Sequence, residues 1–203
     1  MIERFSNLET LYIEGHRKGL EAIAGLAQLQ DLTLRSVTSP NLDFLSGLQE
    51  LWSVDLKLGG TTNLAALAEV PNLKYLELWQ IMKLDDLSVI SELKSLQNLF
   101  LESLKRVTQM PKLNNLTSLR RVMLQNMSGM TDFTSLADAP SLEEFLLTDG
   151  KPAQADLLNP LFSNPNLKKA SAYFGSDKRN HQFETKANAR GLLPYKRCSF
   201  QYH

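Results

Sequence analysis

The feature that most constrains the fold is a leucine pattern that recurs along most of the chain. The spacing L-x-x-L-x-L, with Val, Ile, Phe or Ala allowed at a leucine position, occurs eight times. The first residues of successive copies are 21, 22, 22, 23, 23, 23 and 25 residues apart, and they are Leu8, Leu29, Leu51, Leu73, Leu96, Leu119, Leu142 and Leu167. So regular an interval indicates one repeated structural unit whose copies stack on each other.

Two spacings alternate inside each repeat. The L-x-L end of the pattern has the period of two that is typical of a strand with one buried face. The stretch that follows places apolar residues three apart, as in Leu42, Leu45 and Leu48, which fits 3₁₀ turns because their i and i+3 side chains eclipse. We therefore predict an α/β solenoid with eight parallel strands on a concave face and 3₁₀ or short helical returns on the convex face.

These repeats resemble the leucine-rich repeat family, in its short class of about 22 residues. Residues 84–88 and 130–136 are similar to the internalin-type bacterial repeat, and the resemblance covers residues 8 to about 175. The family usually has Asn at the ninth position of the repeat, where it satisfies backbone groups in the bend. This chain instead has His16, Val37, Gly59, Ile81, Leu104, Met127, Gly150 and Gly175 there. We therefore expect the bend to satisfy its backbone groups by other means.

The last part of the chain departs from the repeat. Residues 176–203 contain six Lys or Arg against two acids, a balance of +4, so residues 1–175 carry −4 in a chain of net charge zero. We predict two units, a solenoid over 1–175 and a basic C-terminal cap or tail over 176–203. A cap would cover the open end of the core, whereas the alternative is a basic, aromatic arm that binds an acidic partner or RNA.

The strand residues that alternate with the leucines are predicted to face outward on the concave side. At the fifth position of the repeat, Phe100, Met123 and Leu146 are consecutive, which predicts an exposed apolar ridge about 10 Å wide. Tyr75 and Trp79 flank its amino-terminal side. Aromatic residues and Met beside charged neighbours are typical of protein-binding hot spots.

A string of acidic residues runs beside this ridge, formed by Asp31, Asp55 and Glu77 with Glu14 and Glu102. Such a patch fits a basic partner and would speed its capture. The alternative for each residue is ordinary strand surface, because aromatic and β-branched residues favour strands in any case. The predicted partner-binding residues are Asp55, Tyr75, Glu77, Trp79, Phe100, Glu102, Arg121, Met123 and Leu146.

The chain carries no motif for catalysis or for cofactor binding. A phosphate-binding loop, a dinucleotide fingerprint and a serine nucleophile elbow are all missing from the sequence. Cys198, the single cysteine, has only His203 nearby to activate it. Asp85 and Asp86 suggest a cation site, but Asp132 recurs at the same place in a later repeat, which favours capping of the return. We expect no enzyme activity, no cofactor and no metal.

Three features of the sequence predict the location. The first residues lack the apolar core of a secretory signal, and no stretch approaches the roughly 18 apolar residues of a membrane span. Together with the single cysteine this predicts a cytoplasmic protein without a membrane segment. Zero net charge gives no general attraction to nucleic acid.

The sequence therefore predicts a non-enzymatic protein-binding module of bacterial type. Its most specific version is an immunity protein or antitoxin that covers the functional surface of a toxin, a step that rests on analogy with the family. The alternative is a structural or adaptor repeat in a signalling assembly, which would include a homo-oligomer. Nucleic-acid binding through the basic tail is a third hypothesis.

Overall fold

The computed structural model describes residues 5, 7–15, 18–197 and 199–203. His16, at the ninth position of the first repeat, and Cys198, considered above as a thiol, lie outside the described residues. One parallel sheet of eight strands runs through this part of the chain in sequence order. The strands are β1 Thr10–Glu14, β2 Asp31–Arg35, β3 Ser53–Lys57, β4 Tyr75–Trp79, β5 Asn98–Glu102, β6 Arg121–Gln125, β7 Glu144–Thr148 and β8 Lys169–Ala172. The predicted number, order and direction of the strands are confirmed.

The strands pair in register, so the same position of each repeat forms a row across the sheet. Leu76, Leu99, Val122 and Phe145 are one such row, and all four are fully buried. Burying an apolar side chain of this size stabilises a fold by about 1.5–3 kcal/mol. The rows join the apolar residues of the returns in one continuous core that extends from Ile13 to Leu192.

The returns are short helices, as the spacing of three predicts. Most are 3₁₀ helices, at Leu20–Gly25, Asp43–Leu45, Ala65–Glu69, Ser88–Glu92, Thr134–Asp138 and Asn159–Ser163. The return before β8 also contains the short helix α1, Gln154–Leu157, and a longer helix α2, Asp177–Ala189, follows β8.

The return between β5 and β6 differs, since it contains no 3₁₀ helix. Leu87, the residue before the 3₁₀ helix of the preceding repeat, has φ −113° and ψ 14°. Met110 holds the equivalent place here and is followed by Pro111. A residue before proline is driven away from such a conformation toward extended backbone. The first turn of the return is therefore lost at this repeat.

The bend after each strand is satisfied by the backbone itself. Its first residue is left-handed in seven repeats, with φ between 49° and 68°, at Gly15, Ser36, Leu58, Gln80, Ser103, Asn126 and Asp149. In the first six of these repeats the N–H of this residue donates to a carbonyl of the next repeat, as from Leu58 to Trp79 at 2.9 Å, and in the seventh the N–H of Gly150 donates to Tyr173 instead. The ninth position, which has Asn in the family, carries buried apolar side chains at Val37, Ile81, Leu104 and Met127. Backbone bonds between repeats thus replace the ladder of Asn side chains, as expected.

Helix α2 and Leu193, which follows it, lie against the last repeat. Phe183 is 2% exposed, and its ring centroid lies 5.1 Å from that of Phe162 and 6.2 Å from that of Phe174. Leu193 then forms a bridge with β8, accepting a hydrogen bond from the N–H of Ala170 at 3.0 Å. An uncovered edge strand would expose such groups to pairing with other chains. The division into two units at 175 and 176 remains a prediction.

None of the helices in the described ranges is both long and apolar enough to cross a membrane.

Candidate protein-binding face

The outer sheet face consists of the side chains at the third, fifth and seventh positions of the repeats, opposite the core. Phe100, Met123 and Leu146 are neighbours in register on β5, β6 and β7, and all three are half-buried. Trp79 and Glu102 are likewise paired and half-buried on β4 and β5. The structure therefore brings together the residues from which the ridge was predicted.

The acidic residues next to the ridge are partly neutralised in place. Lys57 Nζ lies 3.0 Å from Asp55 Oδ2 and 3.1 Å from Glu77 Oε2. The Tyr75 hydroxyl donates a hydrogen bond to Glu77 Oε2 at 2.9 Å, and Glu77 is only 9% exposed. This part of the predicted acidic patch is a closed cluster of charges, whereas Glu102 lies outside that cluster and is half-buried.

Burial changes the proton affinity of this cluster. Desolvation, and then the neighbouring carboxylate of Glu77, raises the pKa of Asp55 to about 6, and the hydrogen bond from Lys57 together with its positive charge compensates only in part. The same two causes raise the pKa of Glu102 above its ordinary value. One Asp55 oxygen, Oδ1, is buried and accepts no hydrogen bond from the described groups. The negative charge of the patch therefore decreases on mild acidification.

Arg121 is not open to solvent, contrary to what its outward position led us to expect. It is 4% exposed, and its Nε donates to Glu144 Oε2 at 2.6 Å. Lys169 Nζ lies 2.7 Å from the other oxygen of Glu144. Burial alone would raise the pKa of Glu144, but the hydrogen bonds from Lys169 and Arg121 outweigh it and lower that pKa. The physical reason for the burial of Arg121 is that the end of the chain returns across it.

This returning segment, called the strap here, consists of residues 194–203, all described except Cys198. Tyr195 makes the first contacts of the strap with the sheet. Its N–H donates to Ser171 Oγ at 3.0 Å, and its hydroxyl lies 3.6 Å from Met123 Sδ. The ring of Phe200 then lies between two guanidinium groups, with its centroid 4.6 Å from Arg120 Cζ and 4.7 Å from Arg121 Cζ. The strap thus covers Arg121, the first residue of β6, and touches Met123, the middle residue of the ridge.

The strap ends at the amino-terminal edge of the strands. The Tyr202 ring centroid lies 5.0 Å from that of Trp52, and Asn98 Nδ2 donates to the Tyr202 hydroxyl at 3.1 Å. Gln97 binds the backbone of His203 twice, accepting its N–H at 3.1 Å and donating to its carbonyl at 2.8 Å.

Sequence reasoning missed Trp52, Gln97 and Arg120 because they precede the strands, at the second position of the repeat. A signal was available there. Long polar or aromatic side chains recur at this position, at Trp52, Lys74, Gln97, Arg120 and Glu143. The alternation of Phe200 and Tyr202 is also typical of an extended segment.

The aspartates of the returns act as caps. Asp86 and Asp132 each accept a hydrogen bond at 2.8 Å from the backbone N–H two residues later, which confirms the capping interpretation. That bond and a second one from the Thr134 hydroxyl lower the pKa of Asp132. Across the described ranges, no group of three or more His, Cys, Asp or Glu side chains has metal-binding geometry.

Comparison with known proteins identifies the fold. No family model and no curated protein sequence matches the chain. Among solved structures, an internalin from Listeria monocytogenes matches with a TM-score of 0.64 and 20% identity, over 85% of this chain and 56% of that one. The Toll–Spätzle complex of Drosophila matches with a TM-score of 0.64 and 16% identity, over 85% of this chain and 24% of that one. A complex of TLR13 with single-stranded RNA matches with a TM-score of 0.62 and 17% identity, over 85% of this chain and 26% of that one.

The chain therefore spans about half of the internalin and about a quarter of the matched chains in the Toll and TLR13 complexes. At such low identities the likeness concerns the fold alone. Eight parallel strands in one sheet, short 3₁₀ returns and these neighbours agree: the protein has the leucine-rich repeat fold in its short-repeat form.

Proposed function

We propose that the protein is a non-enzymatic protein-binding module that uses the outer sheet face. The observation that carries the proposal is the contiguous surface formed by Trp79, Phe100, Met123 and Leu146 across β4 to β7, with Glu102 beside it. Soluble proteins rarely leave contiguous apolar surface open, and aromatic residues dominate binding energy at interfaces. Among neighbours of the same fold, Toll is seen in complex with Spätzle.

The more specific proposal is an immunity protein in the bacterial cytoplasm that neutralises a toxin by covering its functional surface. The carboxylate of half-buried Glu102 beside the apolar ridge supports a cationic partner surface. The internal pairing of Asp55 and Glu77 with Lys57 makes this electrostatic attraction weaker than the sequence alone indicated.

The test is the double substitution Trp79→Ala and Phe100→Ala. A partner is first identified by affinity purification from the native host, then purified and titrated by calorimetry. Truncation of two central aromatics should weaken binding by about 2 kcal/mol or more, which is roughly 30-fold in Kd. Met82→Ala is a matched control, because Met82 is an apolar side chain that is 63% exposed outside this surface.

The result contradicts the proposed surface if the partner binds the double variant and the wild type equally. For the immunity version, an equimolar amount of the wild-type protein should abolish the partner's toxic activity. A partner without toxic activity would contradict the immunity proposal, while the proposal of a protein-binding module would still stand.

The alternative is an adaptor repeat that forms homo-oligomers through the same ridge. Half-buried Met123 and Leu146 would be covered in such a dimer. Sedimentation equilibrium at micromolar concentration distinguishes the two, because only the adaptor version predicts a dimer that Trp79→Ala with Phe100→Ala dissociates.

A further inference from the structure

The sheet binds the strap through side chains that recognise peptide backbone. Beyond the bridge at Leu193, the described part of the strap pairs with no strand. Instead, Gln97 makes two hydrogen bonds to the backbone of His203, and Arg120 donates one to the carbonyl of Gln201. Every residue has these backbone groups, so the contacts select an extended conformation more than a particular sequence.

Two aromatic sites lie beside these backbone contacts. Phe200 is held between Arg120 and Arg121 by cation–π contacts. Tyr202 packs against Trp52 and also lies edge-on to Phe200, with centroids 4.8 Å apart. The surface therefore favours a segment with aromatic side chains two residues apart.

The solenoid does not depend on the strap for its core. The continuous cluster of buried apolar residues ends at Leu192. Phe200 and Tyr202 are only half-buried, and Gln201 and His203 are exposed. Beneath them Asn98 is 4% exposed, and its Oδ1 accepts no hydrogen bond from the described part of the chain. The strap thus occupies a surface that it does not fully satisfy.

We propose that the surface of Trp52, Gln97, Asn98, Arg120 and Arg121, named the edge groove, binds an extended partner segment with aromatic residues two apart. The strap occupies the edge groove as an intramolecular competitor, and the partner displaces it. This inference rests on the proposed function in that both place a protein on the same sheet. It assigns different residues and a different test.

The competition has a calculable consequence. A tethered segment acts at an effective concentration of about 1 mM or more, and the apparent affinity of a second ligand decreases by the fraction of molecules in which the groove is open. Removal of the two aromatic contacts of the strap should open the groove. We expect Phe200→Ala with Tyr202→Ala, in the full chain, to raise the affinity for an added peptide about tenfold or more.

The probe is a fluorescein-labelled peptide of residues 194–203, with Ser in place of Cys198, measured by fluorescence anisotropy. The strap double variant should bind it at least about tenfold more tightly than the wild type does. Adding Gln97→Ala to that variant should cancel the gain, because the two backbone bonds to His203 are lost. A peptide with Ala at both aromatic positions should not bind.

Equal peptide affinity of the wild type and the strap double variant would overturn the proposal. The proposal would also be overturned if the double variant unfolds at the same urea midpoint as the wild type but does not bind the peptide. Trp79→Ala and Phe100→Ala, added to the strap double variant, should change the peptide affinity by no more than about twofold. The described residues of the strap contact Trp52 and Met123 instead of these two residues. Failure of the ridge as an interface is thereby separated from failure of the edge groove.

A second readout does not require a peptide. The chain has two Trp residues, so Trp79→Phe leaves Trp52 as the single Trp reporter. Tyr202→Ala in this background should change the emission of Trp52, because the two rings are in contact. Unchanged emission would show that the strap is not docked and would overturn the proposal.

Discussion

At the scale of single residues, close contact between successive turns determines several identities. A side-chain carbon added at Gly59 would lie 2.1 Å from the carbonyl oxygen of Val37, and one at Gly129 would lie 2.2 Å from that of Lys105. Both distances are far below van der Waals contact, so only glycine fits where neighbouring bends touch. Gly59 and Gly129 are therefore places where the backbone of one repeat packs on that of the repeat before it.

Asp55 gives a prediction about pH. Its folded-state pKa of about 6 lies above the ordinary value of 3.8. Its contribution to stability is therefore fully present below about pH 4 and is lost as the pH rises through 6. Asp55→Asn removes the titration while keeping the shape of the side chain. We therefore expect the free energy of unfolding of the variant, relative to that of the wild type, to increase as the pH rises from 5 to 8.

Urea denaturation at pH 5, 6, 7 and 8 measures the difference in the free energy of unfolding between the two proteins. Asp43→Asn is a suitable control, because Asp43 is an exposed aspartate of a return. A difference that stays constant over this range, or that favours the wild type increasingly as the pH rises, would contradict the prediction.

At the scale of elements, each return and the terminal helix have a local cause. Pro111 removes the first turn of one 3₁₀ return, while Asp86 and Asp132 bind the first backbone N–H groups of two others. Helix α2 differs from the returns, because it forms no repeat and only two of its residues, Phe183 and Ala187, are buried. Its attachment therefore combines a small apolar contact with polar contacts, such as that of Arg179 with Asp156 at 3.1 Å.

Phe183 is the residue through which this attachment can be tested. Phe183→Ala removes a ring that contacts Phe162 and Phe174, and we expect it to cost about 3–5 kcal/mol of stability. Glu184→Ala on the same helix changes an exposed residue and should stay within about 0.5 kcal/mol. Urea titration followed by circular dichroism measures both, and equal midpoints for the two variants would rule out a stabilising role of α2.

At the scale of the whole molecule, stability is shared between neighbouring repeats. Each strand pairs only with the strands before and after it in the sequence, so the core is continuous but no repeat has more than two neighbouring repeats. In such an array stability approximates a sum of repeat and interface contributions. A defect in the centre should therefore weaken the adjacent repeats more than distant ones.

Leu99→Ala tests this description. Leu99 is fully buried in β5, and loss of its side chain should cost about 2–5 kcal/mol. Hydrogen exchange should show the largest loss of amide protection in β4, β5 and β6 and the smallest in β1. A cost within the range of Met82→Ala, about 0.5 kcal/mol for an exposed residue, or a uniform loss of protection, would be inconsistent with the prediction.

The sequence alone determined the repeat, the strand positions and the outward rows of side chains. Its information was sufficient because strand and return have different periods, and because register repeats the same environment in every copy. Phe100, Met123 and Leu146 could be placed side by side for that reason. The partner-binding role of these residues stays a proposal.

Only the tertiary structure decided how much of the outer sheet face is open. Arg121 lies outward, as its position in the repeat predicts, yet the strap covers it from about 80 residues further along the chain. Lys57 neutralises Asp55 and Glu77 across two strands, which no local pattern reveals. A periodic pattern states which face a side chain occupies, whereas contacts with non-repeating segments depend on where the chain returns in space.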